Sequence, residues 1–133
     1  MMIKLITIYA IPFFCSIFFA PHANATPTNA PCQRLVLTLL APEIQAQIEK
    51  YYSAKLTVTP EYAPYLGGNR LEIERFDSHI DVVVTVIPYV GPHLDVGIDK
   101  MKFQIDNAGK VSILSYEHIK DSELPPNWMY IKR

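Results

Sequence analysis

Residues 71–86, LEIERFDSHIDVVVTV, decide the fold. Leu71 and Ile73 alternate with Glu72 and Glu74, and Ile80, Val82, Val84 and Val86 alternate with Asp81, Val83 and Thr85. Such alternation marks half-buried strands, because successive side chains point to opposite faces of a sheet. A two-residue turn at Asp77-Ser78 would pair Phe76 with His79, Ile73 with Val82 and Leu71 with Val84. Both aliphatic sets then share one face, and a slip of one residue would scatter them. His79 falls beside the turn on the opposite face and reads as a solvated residue. Pro88 lies beyond Thr85, whose partner is Arg70. The first strand has ended there, so the missing N–H costs no ladder bond.

Working outward, Met101, Phe103 and Ile105 alternate with Lys100, Lys102 and Gln104. Asn107-Ala108-Gly109 fits a three-residue hairpin loop with Gly109 in the left-handed position. That loop pairs Ile105 with Val111, Phe103 with Ile113 and Met101 with Ser115. Val111 and Ile113 then join the core face, and Leu114, Tyr116 and His118 take the other. Upstream, Ile44, Ile48, Tyr51 and Tyr52 recur at helical spacing, and Pro42 suits the first turn, so a helix is expected from Ala41–Pro42 to about Ser53–Lys55. Leu35–Leu40 reads as a further helical turn or two. Residues 56–69 form a long connection, with a short strand at Leu56–Thr59, and Tyr62 and Tyr65 closing one end of the core. The sum is an α+β domain over residues 41–120: an N-terminal helix packed on a four-stranded antiparallel meander. The tail, residues 121–133 (DSELPPNWMYIKR), carries the only tryptophan. It is expected to dock on Phe76, Val83, Ile87 and Leu114, or on a partner.

The start of the chain reads as a targeting segment. Lys4 precedes an almost wholly apolar stretch, residues 5–20, and Ala23-Asn24-Ala25 is a small-x-small cleavage pattern. Together these make a secretory signal peptide, residues 1–25, cleaved after Ala25. A membrane anchor needs about 20 apolar residues, and this run is shorter and interrupted by Pro12. Residues 26–40 are then a linker, beginning with TPTNAP, and the short apolar segment. The expectation is an exported protein with no membrane contact after cleavage. The formal net charge is −1, and losing Lys4 makes the remainder more acidic. No basic patch of the kind that holds nucleic acid stands out. Cys15 leaves with the leader, so Cys32 stays alone and no internal disulfide can form.

A site is sought in the loop YVGPHLDVG, residues 89–97, which sets two glycines, a proline, a histidine and an aspartate between two strands. In a meander, that loop and the end of the last strand share one rim. His93 and Asp95 therefore lie at the same end as Tyr116, Glu117 and His118. His93, His118 and one of Asp95, Asp99 or Glu117 can make a two-histidine, one-carboxylate metal site. They can equally make a histidine–carboxylate pair for acid–base work. The plain alternative is a shaped turn, in which Gly91 and Gly97 allow unusual backbone angles. No metalloprotease, phosphate-loop or serine-hydrolase signature occurs, so neither a catalytic residue, a metal nor a cofactor is assigned. His93, His118, Asp95 and Tyr116 stand as candidate ligand-binding residues.

These residues carry a resemblance. The Ile44…Ile48…Tyr51-Tyr52 helix, the Val82–Val86 alternation, Gly91-x-His93-x-x-x-Gly97 and Tyr116-x-His118 come in the order seen in domain of unknown function 3888. The chain resembles that family over roughly Ala41–Lys120. Its members are short secreted proteins of Gram-positive bacteria, so the resemblance implies export and a compact domain, and no reaction. The expected role is a binding or interaction module for a protein or small molecule at the His93/His118 rim. The alternative is a secreted metal-dependent or histidine-based hydrolase.

Overall fold

A computed structural model describes residues 30–133. The expected leader and the first residues of the expected linker lie outside them. Two helices, α1 (Ala30–Leu39) and α2 (Ala41–Tyr52), precede six strands: β1 (Arg70–Arg75), β2 (His79–Val86), β3 (Tyr89–Val90), β4 (Leu94–Asp95), β5 (Gly97–Asp106) and β6 (Val111–Asp121). A 3-10 helix, Pro126–Ile131, closes the chain. The main sheet runs β1-β2-β5-β6, all antiparallel, and β3-β4 is a small separate hairpin inserted between its middle strands. The architecture is therefore α+β, with the expected meander and one helix more than the single main one. No helix among the described residues is long and apolar enough to cross a membrane.

The first hairpin has the register that the alternation demanded. Leu71 faces Val84, Ile73 faces Val82 and Arg70 faces Thr85. The second hairpin begins equally well, with Gly109 at φ +84° and Ile105 facing Val111. Rows of side chains then cross the core face. Ile73, Val82, Phe103 and Ile113 form one row, and Leu71, Val84, Met101 and Tyr116 the next. α2 covers this face with Ile44 and Ile48, which are fully buried. Burying each of these side chains contributes about 1.5–3 kcal/mol.

β6 departs from the expected pairing through two bulges. Ile113 faces Phe103, but Ser115 faces Lys102, so Leu114 is an extra residue. Met101 consequently faces Tyr116, not Ser115. A second extra residue, Ile119, follows His118. The first bulge reverses the alternation, so Tyr116 and His118 turn to the core face while Leu114 and Ile119 stay about half exposed. Unbroken alternation along β6 predicts Tyr116 and His118 on the outer face, and the bulge overturns that expectation. A bulge inserts one unpaired residue and flips everything beyond it.

The core is also wider than residues 41–120. Leu37 and Leu40 at the N-terminal side, and Leu124 and Ile131 in the tail, are all buried in it. The tail docks along the connection after α2: Ile131 accepts hydrogen bonds from the N–H and hydroxyl of Thr57, and Arg133 N–H donates to Lys55 O. Trp128 lies so close to Gly91 that any β-carbon there would collide with its ring. Of the four expected docking residues, Phe76 and Leu114 remain half exposed, and Val83 and Ile87 are partly buried. Leu56 forms only an isolated bridge, to Lys132, in place of the short strand. Tyr62 packs against the core, but Tyr65 is 61% exposed and closes nothing. Cys32 is an exposed free thiol on α1.

On the outer face, Lys102 Nζ sits 2.8 Å from Asp81 Oδ2 and 3.8 Å from Glu74. His79 Nε2 lies 3.6 Å from Asp81 Oδ1, so this histidine has a partner and is not simply solvated. The Lys102 ammonium holds the Asp81 carboxyl below the usual carboxylate range, and Asp81 in turn raises Lys102.

Candidate functional site

The next row of the sheet places a charge in the core. Val86, Asp99 and His118 follow one another across β2, β5 and β6. Asp99 has the same parity as Met101 and Phe103, and its side chain is completely buried. A buried carboxylate is tolerated only with partners, and here the partner is His118. Its Nδ1 lies 2.6 Å from Asp99 Oδ1, and its Nε2 lies 3.1 Å from Asp121 Oδ1. Asp121 is on the exposed surface, so the imidazole spans from the interior to solvent. A neutral imidazole donates to one carboxylate at a time; only the imidazolium donates to both.

Tyrosines enclose the pair. Tyr52, at the end of α2, and Tyr116 place buried hydroxyls against Asp99, although neither makes a hydrogen bond of good geometry, and Asp99 Oδ2 also lacks one. Burial, reinforced by the Asp99 charge, pushes both hydroxyls far above the usual phenol range. Tyr51 lies flat over Tyr116 and His118, with ring centroids 5.1 and 4.9 Å away. Lys55 Nζ sits 4.8 Å over the Tyr51 ring, a cation–π distance. Gly97 makes this closeness possible. A β-carbon there would sit 2.6 Å from the Tyr52 hydroxyl, 2.8 Å from His118 Cε1 and 2.9 Å from Lys120 O. The glycine serves a close approach of side chains, since its φ is not in the left-handed region.

A cleft of about 240 Å³ opens beside this cluster. Tyr52, Lys55, Asp121, Ser122, Lys132 and Arg133 are among the residues that line it. The end of α2, the β6 exit and the docked tail thus meet at one depression.

The sequence-derived candidates divide into two groups. His118 and Tyr116 belong to the cluster, and Asp99 is the one of the three suggested carboxylates that pairs with His118. His93 sits elsewhere in the contact pattern. It occupies the tip of the β3-β4 hairpin at φ +61°, edge-on to Tyr89, whose hydroxyl bonds Glu61. Asp95 is an exposed residue facing Tyr89 in the same hairpin. No hydrogen bond, ion pair or ring contact among the described residues joins His93 or Asp95 to His118. Nor do any three histidine, cysteine or acidic side chains among the described residues converge to hold a metal ion. Tyr51, Tyr52 and Asp121 were absent from the sequence-derived site. The usable signal was the parity of Asp99 with Met101 and Phe103, which puts a carboxylate on the core face and requires a buried partner.

No curated protein and no solved structure matches the chain. A family profile does, over residues 32–120, a span that takes in α2, the whole Asp99–His118 row and both β6 bulges. The chain therefore belongs to DUF3888, a family of proteins of unknown function.

Proposed function

We propose that this domain is an exported binding module whose ligand seat is the cleft beside Asp99 and His118. Export rests on the leader read from the sequence. The seat rests on one observation: a depression that shares Tyr52 and Asp121 with a buried, charged cluster. Ligand sites are concave and combine apolar walls with a few convergent polar groups. The volume suits a small molecule or one group of a larger ligand. Titrating isotope-labelled protein with small polar fragments tests the reading by NMR. Amide shifts should gather on Tyr52, Val96, Asp121 and Ser122. Hits gathered on another surface, or none at all, would remove it.

A second reading is histidine-based hydrolysis. It is favoured by the 2.6 Å contact of Asp99 with His118 Nδ1, which orients the ring with Nε2 outward, as in a base held by a carboxylate. An activated acetate ester is the probe. Turnover lost in His118→Gln supports this reading, and equal rates in both proteins remove it.

A further inference from the structure

We infer that the cleft takes an oxyanion, the carboxylate or phosphate group of a small molecule, with Lys55, Lys132 and Arg133 as its counter-charges. This rests on the cleft being the binding seat. The cleft is lined by three basic residues and one acidic residue, Asp121. The chain as a whole carries a net charge of −1, so this local excess is not a general property of its surface. Asp121 is engaged by His118 Nε2 at 3.1 Å. None of the three cations makes an ion pair within 4.0 Å among the described residues.

Their backbones are held in place. Leu56 bridges Lys132, Thr57 N–H donates to Ile131 O at 2.7 Å, and Arg133 N–H donates to Lys55 O at 2.9 Å. Lys55 is further steadied over the Tyr51 ring. Fixed backbones lower the ordering cost of binding. Lysine and arginine side chains only donate, and the arginine fork matches two oxygens of a carboxylate or phosphate. Ser122, which also lines the cleft, adds a neutral hydroxyl donor, whereas the Tyr52 hydroxyl is turned to Asp99. Cations with no carboxylate partner among the described residues, held around a concavity beside a neutral donor, select an oxygen-bearing anion over a neutral or cationic group.

The probes are inorganic phosphate and acetate, titrated at constant ionic strength against chloride. Saturable amide shifts at Tyr52, Lys55, Lys132 and Arg133 are expected. A protein carrying Lys55→Gln, Lys132→Gln and Arg133→Gln should bind at least about tenfold more weakly, a loss of about 1.4 kcal/mol. Lys132→Glu alone, a surface change, should weaken binding while leaving the amide spectrum folded. Free glycerol phosphate and phosphatidylglycerol vesicles separate a soluble source from a lipid headgroup, and saturable binding of either at the cleft supports the inference. Undiminished binding in the triple variant overturns it. Neutral fragments that bind the cleft while phosphate and acetate do not would overturn the anion assignment and leave the binding module standing. No fragment of any charge at the cleft would end both.

Discussion

Gly97 is where a single atom decides the packing. Its missing side chain lets the Tyr52 hydroxyl and the His118 ring close over the sheet. Gly97→Ala should cost about 1–3 kcal/mol, the usual range for overpacking, measured by urea denaturation. Tyr52→Phe removes the nearest of the three clashing atoms, so the double variant should recover part of the loss. The recovery is partial because His118 Cε1 and Lys120 O remain. Strictly additive effects of the two substitutions would show that Gly97 and Tyr52 are not coupled through this contact. At this scale the sequence was half legible. Tyr116 and His118 were visible as candidates, and Asp99 was offered among three carboxylates. The choice among them depended on face parity, which the sequence showed for β5 and concealed for β6. His93 looked equally chemical, yet the structure makes it a left-handed turn residue against Tyr89.

At the scale of the element, the bulge at Leu114 assembles the cluster. Without the extra residue, Tyr116 and His118 would point to the outer face and Asp99 would be buried without its imidazole. Leu114 is itself half exposed, so Leu114→Ala should change stability by no more than about 0.5 kcal/mol. Deleting Leu114 should be far worse, because it turns His118 away from a buried carboxylate. Breaking such a pair costs about 3–5 kcal/mol. Thermal unfolding of both proteins checks this, and a deletion as stable as the substitution would refute the role given to the bulge. The β1-β2 hairpin was fully readable because its two alternating runs check one another across a tight turn. β6 was not, since Val111–Asp121 holds apolar and polar residues on both parities and nothing in that run marks where a residue is left unpaired. α1 was undervalued for a related reason: Pro31 and the small residues around it resemble a linker, and the helical stripe emerges only when Leu37 and Leu40 are seen to meet the core.

Across the whole molecule, buried tyrosines link stability to alkaline pH. Burial pushes the Tyr62 hydroxyl up to about 12, and burial with the Asp99 charge pushes Tyr52 and Tyr116 higher still. A raised folded-state value means that the folded protein retains protons the unfolded chain releases. That stability is fully present below about pH 10, the unfolded value, and is lost as pH rises through the folded values. Phenolate absorbance from these three residues should therefore appear together with the loss of circular dichroism. Tyr52→Phe, Tyr62→Phe or Tyr116→Phe should each flatten the alkaline decline. Ionisation of all three near pH 10 with the fold intact would contradict their burial. The tail belongs to this scale as well. Its tryptophan signalled correctly that it docks, but the docking surface is assembled from the α2–β1 connection and the β3-β4 hairpin, which only the closed fold brings together.

The sheet ends in two unlike borders. Along β6, the two inserted residues bend and twist the rim, which discourages a neighbouring chain from stacking alongside. Along β1 the pairing runs without a bulge, and four of its six side chains, Arg70, Glu72, Glu74 and Arg75, are charged and exposed. These exposed charges guard the second border as the bulges guard the first, so a polypeptide that added to the sheet beside residues 70–75 would need charges matched to that rank of arginines and glutamates.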